Sequence, residues 1–426
     1  MSARERAEAA LERLLEASGT ERFLISLASL ALSLFVGALI ILAAGRTATC
    51  AQPAVSYFGV GFCYDPAAVY DALFLGALGN PINPYFDPLH GQFAAPIQTG
   101  WSPFNGAMAR TLAETTILLF TGLSVAVAFR AGIFNIGTQG QLIAGGLAST
   151  VAMLAVAPYF DGVVGTLVVL PLGLLVGAVF GGLYGAIPGA LKAYADSNEV
   201  ITTIMLNFVA SLVALYLVQN RFADPESVST KTETLPEFVS FPTVAFDPRA
   251  PFSLVALALG VALLVGVYLL LERTTFGFDL RTSGLQPEAA EYGGVDSKRT
   301  IVSSMALSGA LGGLAGTVYV LLYFGYFGGS VPSYGFDGIT VSILAGNNPL
   351  GVLPAAFLFG VLKNGALSVQ ATNVPPELVD VLRGLIILFV AMPEFFRLAG
   401  RRLTGPRSGD RAVATDGGSA GGERDE

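Results

Sequence analysis

The chain has 426 residues, 53% of them hydrophobic and only 13% charged, about half the charge of an average soluble domain. Several apolar runs exceed the ~18 residues that separate membrane spans from buried core helices, and the alternating pattern of a membrane barrel is absent. The net charge of −8, with lysines only at Lys192, Lys231, Lys298 and Lys363, points away from nucleic acid, and a lone His90 excludes a histidine-based metal or triad site. The fold class that follows is all-α, a polytopic helical membrane protein.

Residues 1–22 form a charged segment with Arg4, Arg6, Arg13 and Arg22, expected on the cytoplasmic side by the positive-inside bias. The first span is expected at Phe23–Ala44. Gly45–Arg110 is rich in Pro, Gly and aromatic residues, poor in basic ones, and therefore external. Within it Val69–Leu78 is apolar but too short to cross, which fits an interfacial or re-entrant piece. Cys50 and Cys63 lie on this external side, where a disulfide and two free thiols are both compatible with the sequence.

Further spans are expected at Thr111–Phe129, Gly137–Ala157, Val163–Ala190 (interrupted by Pro171 and Pro188), Val200–Val218 and Phe252–Leu271. The stretch between the first two of these, Arg130–Gln141, is the densest polar cluster at the edge of an apolar run. Its glycines weaken a continuous helix, while Asn135, Gln139 and Gln141 supply amide donors and acceptors. Irregular backbone at membrane depth needs protein or a water-filled cavity around it, and broken helices of this kind often line a solute path. The competing account is a cytoplasmic turn with helix-packing glycines. Asp196–Glu199 has the character of a helix start capped by Ser197 or Asn198, and Asn207 suits a bond to a neighbouring helix.

The polar loop Arg273–Arg299 carries Arg273, Arg281, Lys298 and Arg299, which places it inside. Within it Gln286, Pro287, Glu288, Ala289, Ala290, Glu291, Tyr292 and Gly293 predict a short helix. Pro suits the first turn, the glutamates favour the positive helix end, and the paired glycines terminate it. A short helix held outside the membrane by two spans is a docking element for a separate ATP-hydrolysing subunit; an ordinary solvated loop is the alternative.

Ile301–Gly325, Gly335–Gly346, Leu350–Leu367 and Leu378–Met392 complete about ten spans, with both termini cytoplasmic and Gly335–Gly346 short enough to be re-entrant. Asp337 at the start of Gly335–Gly346 should face the bundle or a cavity rather than lipid. The domain plan is a cytoplasmic segment 1–22, a membrane domain 23–398 containing the loop 273–299, and a disordered cytoplasmic tail 399–426, whose Gly/Ser/Asp/Arg composition builds no core. No Gly-Lys dipeptide is present, so a phosphate-binding GxxxxGK[ST] loop is absent and any ATP must be bound by another polypeptide.

Four motifs in order, RAGIFNIGTQGQ (Arg130–Gln141), NEVITTIMLN (Asn198–Asn207), EAAEYGG with SGALGGLAG (Glu288–Gly294 and Ser308–Gly316), and YGFDGITVSILAGNNPLG (Tyr334–Gly351), resemble the permease subunits of ATP-binding-cassette importers in the simple-sugar and nucleoside group. The resemblance covers about Thr111–Met392. It implies a cell-membrane importer for a small polar solute, a nucleoside first and a simple sugar second, built from two permease chains, two ATPases and an extracytoplasmic solute-binding protein. It also implies that Gly284–Val295 is the coupling element. On this reading the chain is no enzyme and carries no cofactor or metal, and its solute pathway is expected to use Phe134, Asn135, Gln139, Gln141, Phe336 and Asp337. A secondary transporter driven through an ion-coupled Asp is the rival from another class; an intramembrane hydrolase fails for want of a Ser-His or paired-Asp arrangement.

Overall fold

The computed structural model describes residues 19–57, 59–79, 86–87, 92–93, 102–247, 249–370 and 374–389. The expectations for the first 18 residues and for the tail 399–426 lie outside the described residues. The contacts divide the chain into a large unit, Ile41–Val381, and a second unit formed by Met1–Ile40 with Leu382–Glu426. The described parts of the second unit, 19–40 and 382–389, are helical throughout.

Helix α1 (Gly19–Thr47) enters the large unit at Ile41. Strands β1 (Val55–Tyr57) and β2 (Val60–Phe62) form a hairpin, and Cys50 is joined to Cys63, which decides the alternative left open by the sequence. Helix α2 (Pro66–Leu78) is too short to cross a membrane. Asp65 caps it by accepting from Ala67 N, Pro66 occupies its first turn, and Gly79 ends it in the left-handed region at φ +74°.

Long helices α3 (Gly106–Arg130), α4 (Thr138–Val156), α5 (Gly162–Ala195), α6 (Glu199–Asn220) and α7 (Leu254–Arg273) follow. Two short helices, α8 (Thr275–Leu285) and α9 (Pro287–Tyr292), precede α10 (Ser297–Tyr323), α11 (Tyr334–Leu344), α12 (Pro349–Gln370) and a last helix α13 over 376–389. Eight helices among the described residues are long and apolar enough to span. The 11-residue α11 is not among them, in keeping with a re-entrant element, and α13 runs to the edge of the described residues. The interruption expected at Pro171 and Pro188 does not occur, because α5 continues through both as one helix. Neighbouring helices can satisfy the carbonyls that an internal proline releases.

Composition decides which helices sit in the middle. In α3, 83% of the spanning window is buried within the protein, against 22% in α5 and α6. Helix α3 can be central because its polar side chains satisfy themselves: Thr115 and Thr116 donate to the carbonyls of Thr111 and Leu112, each at 2.7 Å. Helix α5 carries glycines every fourth residue from Gly173 to Gly189, the small-residue spacing that lets membrane helices approach closely. A methyl group on Gly313 of α10 would collide with the Gly177 carbonyl of α5. Leu183 of α5 and Leu212 of α6 are 61% and 66% exposed, the apolar surface a lipid-facing helix requires.

Candidate functional site

The chain between α3 and α4 is the break foreseen at Arg130–Gln141. Gly132, at φ +71°, turns the backbone after α3, and Ile133 to Ile136 then run without regular structure into the bundle. Asn135 is 1% exposed and uses its whole amide. Its Nδ2 donates to Gln141 Oε1 at 3.0 Å and to Ser308 Oγ at 2.7 Å. Its Oδ1 accepts from Gly137 N at 2.9 Å and from Gln141 Nε2 at 3.2 Å. Asn207 of α6 holds the same break from the other side, accepting from Gly140 N at 2.8 Å and donating to Ile136 O at 2.9 Å. The side chains thus supply the partners that the interrupted helix leaves without one, the condition for irregular backbone at membrane depth.

A second discontinuity meets the first. Gln139, in the first turn of α4, accepts from Gly335 N at 2.8 Å and donates through Nε2 to Pro332 O at 2.9 Å. It therefore pins the start of α11. No methyl group could stand at Gly335, which packs directly on the Gln139 backbone. Phe134, 40% exposed, stacks edge-on with Phe129 at a centroid distance of 4.6 Å. Phe336 on α11 is 42% exposed.

Beside Phe336 lies a charged cluster drawn from three helices. Lys363 Nζ of α12 is 2.9 Å from Asp337 Oδ2 of α11 and 3.4 Å from Glu114 Oε2 of α3. The ammonium also sits 3.9 Å from the centroid of the Tyr334 ring. Glu114 Oε1 accepts from the hydroxyls of Tyr323 and Tyr334 at 2.7 and 2.8 Å. The three charged side chains are 14–25% exposed. Each charge has an opposite charge as its neighbour, the pairing that ionisable groups in a membrane bundle require.

Where α7 ends, Glu272 bridges Arg130 (3.3 Å) and Arg281 of α8 (2.6 Å), and Arg130 Nε also donates to Asn347 O at 2.9 Å, at the turn after α11. Helix α9 follows at once. Gln286 to Ala289 and Glu291 to Gly293 are exposed, Tyr292 at 97%, and only Ala290 is buried. Gly294 at φ +88° ends the turn, and Asp296 caps α10 by accepting from Arg299 N. Among the described residues no group of three or more His, Cys, Asp or Glu side chains converges on a metal-sized site.

Residues 107–391 match the family model described as "Branched-chain amino acid transport system / permease component". The chain belongs to that family. The permease is 32% identical to a nucleoside ABC transporter permease protein of Lactococcus lactis subsp. cremoris over 380 residues, 88% of this chain and 92% of the relative. It is 38% identical to a guanosine ABC transporter permease protein of Bacillus subtilis over 289 residues, 67% of this chain and 80% of that one. A glucose ABC transporter permease protein of Haloferax volcanii is 31% identical over 343 residues, 77% of this chain and 87% of the relative. The permease is thus a multi-pass cell-membrane protein, the non-enzymatic membrane component of an ATP-binding-cassette transport system.

Of the six pathway candidates in the permease, Asn135, Gln139 and Gln141 are drawn into the internal bonding of the two breaks, while Phe134, Phe336 and Asp337 keep free surface. Sequence reasoning missed Glu114 and Lys363. Each is a single ionisable residue inside a predicted span, which was itself a signal. What hid it was the length of chain between the partners, since α3, α11 and α12 meet only in the fold.

Proposed function

We propose that the chain is the translocating subunit of an importer that moves a nucleoside, delivered by an extracytoplasmic binding protein, and that it pairs with a second permease chain. The observation that carries this reading is 32% identity extending over 92% of a nucleoside permease, with the guanosine permease beside it. The glucose relative keeps a simple sugar as the second candidate, and both solutes share a polyhydroxylated ring.

In this reading α9, through Gln286, Pro287, Glu288, Ala289, Ala290, Glu291, Tyr292 and Gly293, seats in an ATPase subunit that binds the ATP. The support is an exposed helix whose neighbours tie it to the bundle: Ser297 Oγ donates to Pro287 O at 3.1 Å, and Glu272 anchors α8 to Arg130. Force on α9 then passes by way of Arg130 to the turn at Asn347 and so to α11. Phe134, Phe336 and Asp337 contact the solute, while Asn135, Gln139 and Gln141 shape the path by fixing the breaks around it.

The test is uptake of labelled guanosine into proteoliposomes that contain the permease, its ATPase and its binding protein. Accumulation that requires all three together with ATP is expected. Accumulation driven by an ion gradient through the permease alone would refute the proposal.

A further inference from the structure

The Glu114–Lys363–Asp337 cluster is more than a helix staple, because its three members are unequally committed. Glu114 spends Oε1 on two tyrosine hydroxyls and turns Oε2 to Lys363. Lys363 divides its charge between two carboxylates and the face of Tyr334. Glu114 Oε2 is buried and has no hydrogen bond of its own, so the carboxylate with both a free oxygen and open surface is Asp337. Its Oδ2 takes Lys363 at 2.9 Å, its Oδ1 has no hydrogen-bond partner among the described residues, and at 25% its side chain is the most exposed of the three. A carboxylate accepts only, so the group this oxygen suits is a donor, and hydroxyls are the donors a neutral polar solute brings.

The surroundings narrow the solute further. Two acids and one base give the cluster a formal charge of −1, which disfavours a phosphorylated solute in a low-dielectric setting. Aromatic rings pack beside the cluster. From the loop between α6 and α7, Lys231 stands 4.7 Å over Tyr326, and the rings of Tyr326, Phe324, Tyr323, Tyr319 and Tyr334 then follow at successive centroid distances of 5.3–6.0 Å. Phe324 in this run is 47% exposed, and Phe336 adjoins Asp337. Tyr319 and Tyr334 are buried within that run, so the open faces are those of Phe324 and Phe336, and apolar faces near a carboxylate with a free oxygen suit a molecule with a planar base at one end and hydroxyls at the other.

We propose that Asp337, oriented by Lys363 with Glu114 behind it, accepts hydrogen bonds from the sugar hydroxyls of the transported nucleoside and is the residue by which the permease distinguishes ribosides from analogues lacking those hydroxyls. The proposal rests on the nucleoside reading above. The experiment compares initial rates of guanosine and 2′,3′-dideoxyguanosine uptake by the complete importer in proteoliposomes. In the wild type guanosine is favoured, and in Asp337→Asn the ratio of the two rates falls about tenfold, the scale of one lost hydrogen bond to a charged group. A ratio within about twofold of the wild type, or a wild-type ratio near one, overturns the proposal. If Asp337→Asn does not assemble with the ATPase, Asp337→Glu decides: it keeps the charge but displaces the oxygens by one methylene, so the ratio must fall, and an unchanged ratio overturns the proposal. A wild-type importer that accumulates neither nucleoside overturns the nucleoside reading itself, and this inference with it, a result distinct from an unchanged ratio.

Discussion

Asn135 and Gln141 bind each other through both ends of their amides, Nδ2 to Oε1 at 3.0 Å and Nε2 to Oδ1 at 3.2 Å. The pair closes the break between α3 and α4 over six residues of chain and reaches α10 through Ser308. Asn135→Ala leaves the Gln141 amide and the Gly137 N–H without their partner, while Ser308 keeps its bond to Ser124 O. An unsatisfied buried group costs about 1–3 kcal/mol, so the variant should lose about 2–3 kcal/mol. Thermal unfolding of the purified permease reads the loss as a lower Tm. The double variant with Gln141→Ala should cost less than the two single changes summed, because they remove one shared interaction. Additive losses would mean that the pair does not act as a unit.

The membrane plan was legible because it depends on the lengths of apolar runs, and α9 because proline, two glutamates and paired glycines each have a local cause. The break at Arg130–Gln141 was legible for the same reason, as its glycines and amides crowd one stretch of chain. What Asn135 touches was not legible. Ser308 lies 173 residues away, and an amide that lines a path carries the same sequence signal as one that ties a knot. The continuity of α5 through Pro171 and Pro188 escaped a local rule as well, since such a rule does not see the helices packed against α5, α4 and α10 among them.

The α5–α10 seam leads to a prediction about volume. Gly313 faces the Gly177 carbonyl, and a Cβ there would also lie 2.9 Å from Gly181 Cα. Both neighbours are backbone, so neither can swing aside. Gly313→Leu should destabilise by about 1–3 kcal/mol or more, the usual range for overpacking. The control is Leu212→Ala on the exposed face of α6, expected to change stability by less than about 0.5 kcal/mol. Apparent Tm in detergent separates the two; equal shifts would contradict the packing account.

The loop between α6 and α7 has an acid-sensitive fastening. The Asp224 carboxyl is held below its ordinary value of 3.8, first by the Glu226 backbone N–H and then by the Lys231 side chain. Lys231 also pairs with Gly328 across an isolated bridge, so Asp224 helps to hold the loop against the chain that follows α10. A depressed folded pKa contributes stability that is present above the unfolded value and is lost as pH falls through the folded one. Protection from hydrogen exchange over 224–235, taken relative to the intrinsic rate at each pH, should therefore be present at neutral pH and fall once the pH drops below 3.8. Asp224→Asn should show raised exchange at neutral pH and no such step. A step that persists in Asp224→Asn would assign it to another group.

The account as a whole depends on α9 being the place where an ATPase takes hold. Glu288 and Tyr292 are exposed there, and their side chains are not needed to close the fold. The direct measurement is co-purification of the permease with its ATPase, together with ATP-driven guanosine uptake, in Glu288→Ala/Tyr292→Ala. The account predicts a normally folded permease that recovers little ATPase and loses about tenfold or more of its uptake. Undiminished assembly and uptake in that variant would contradict it.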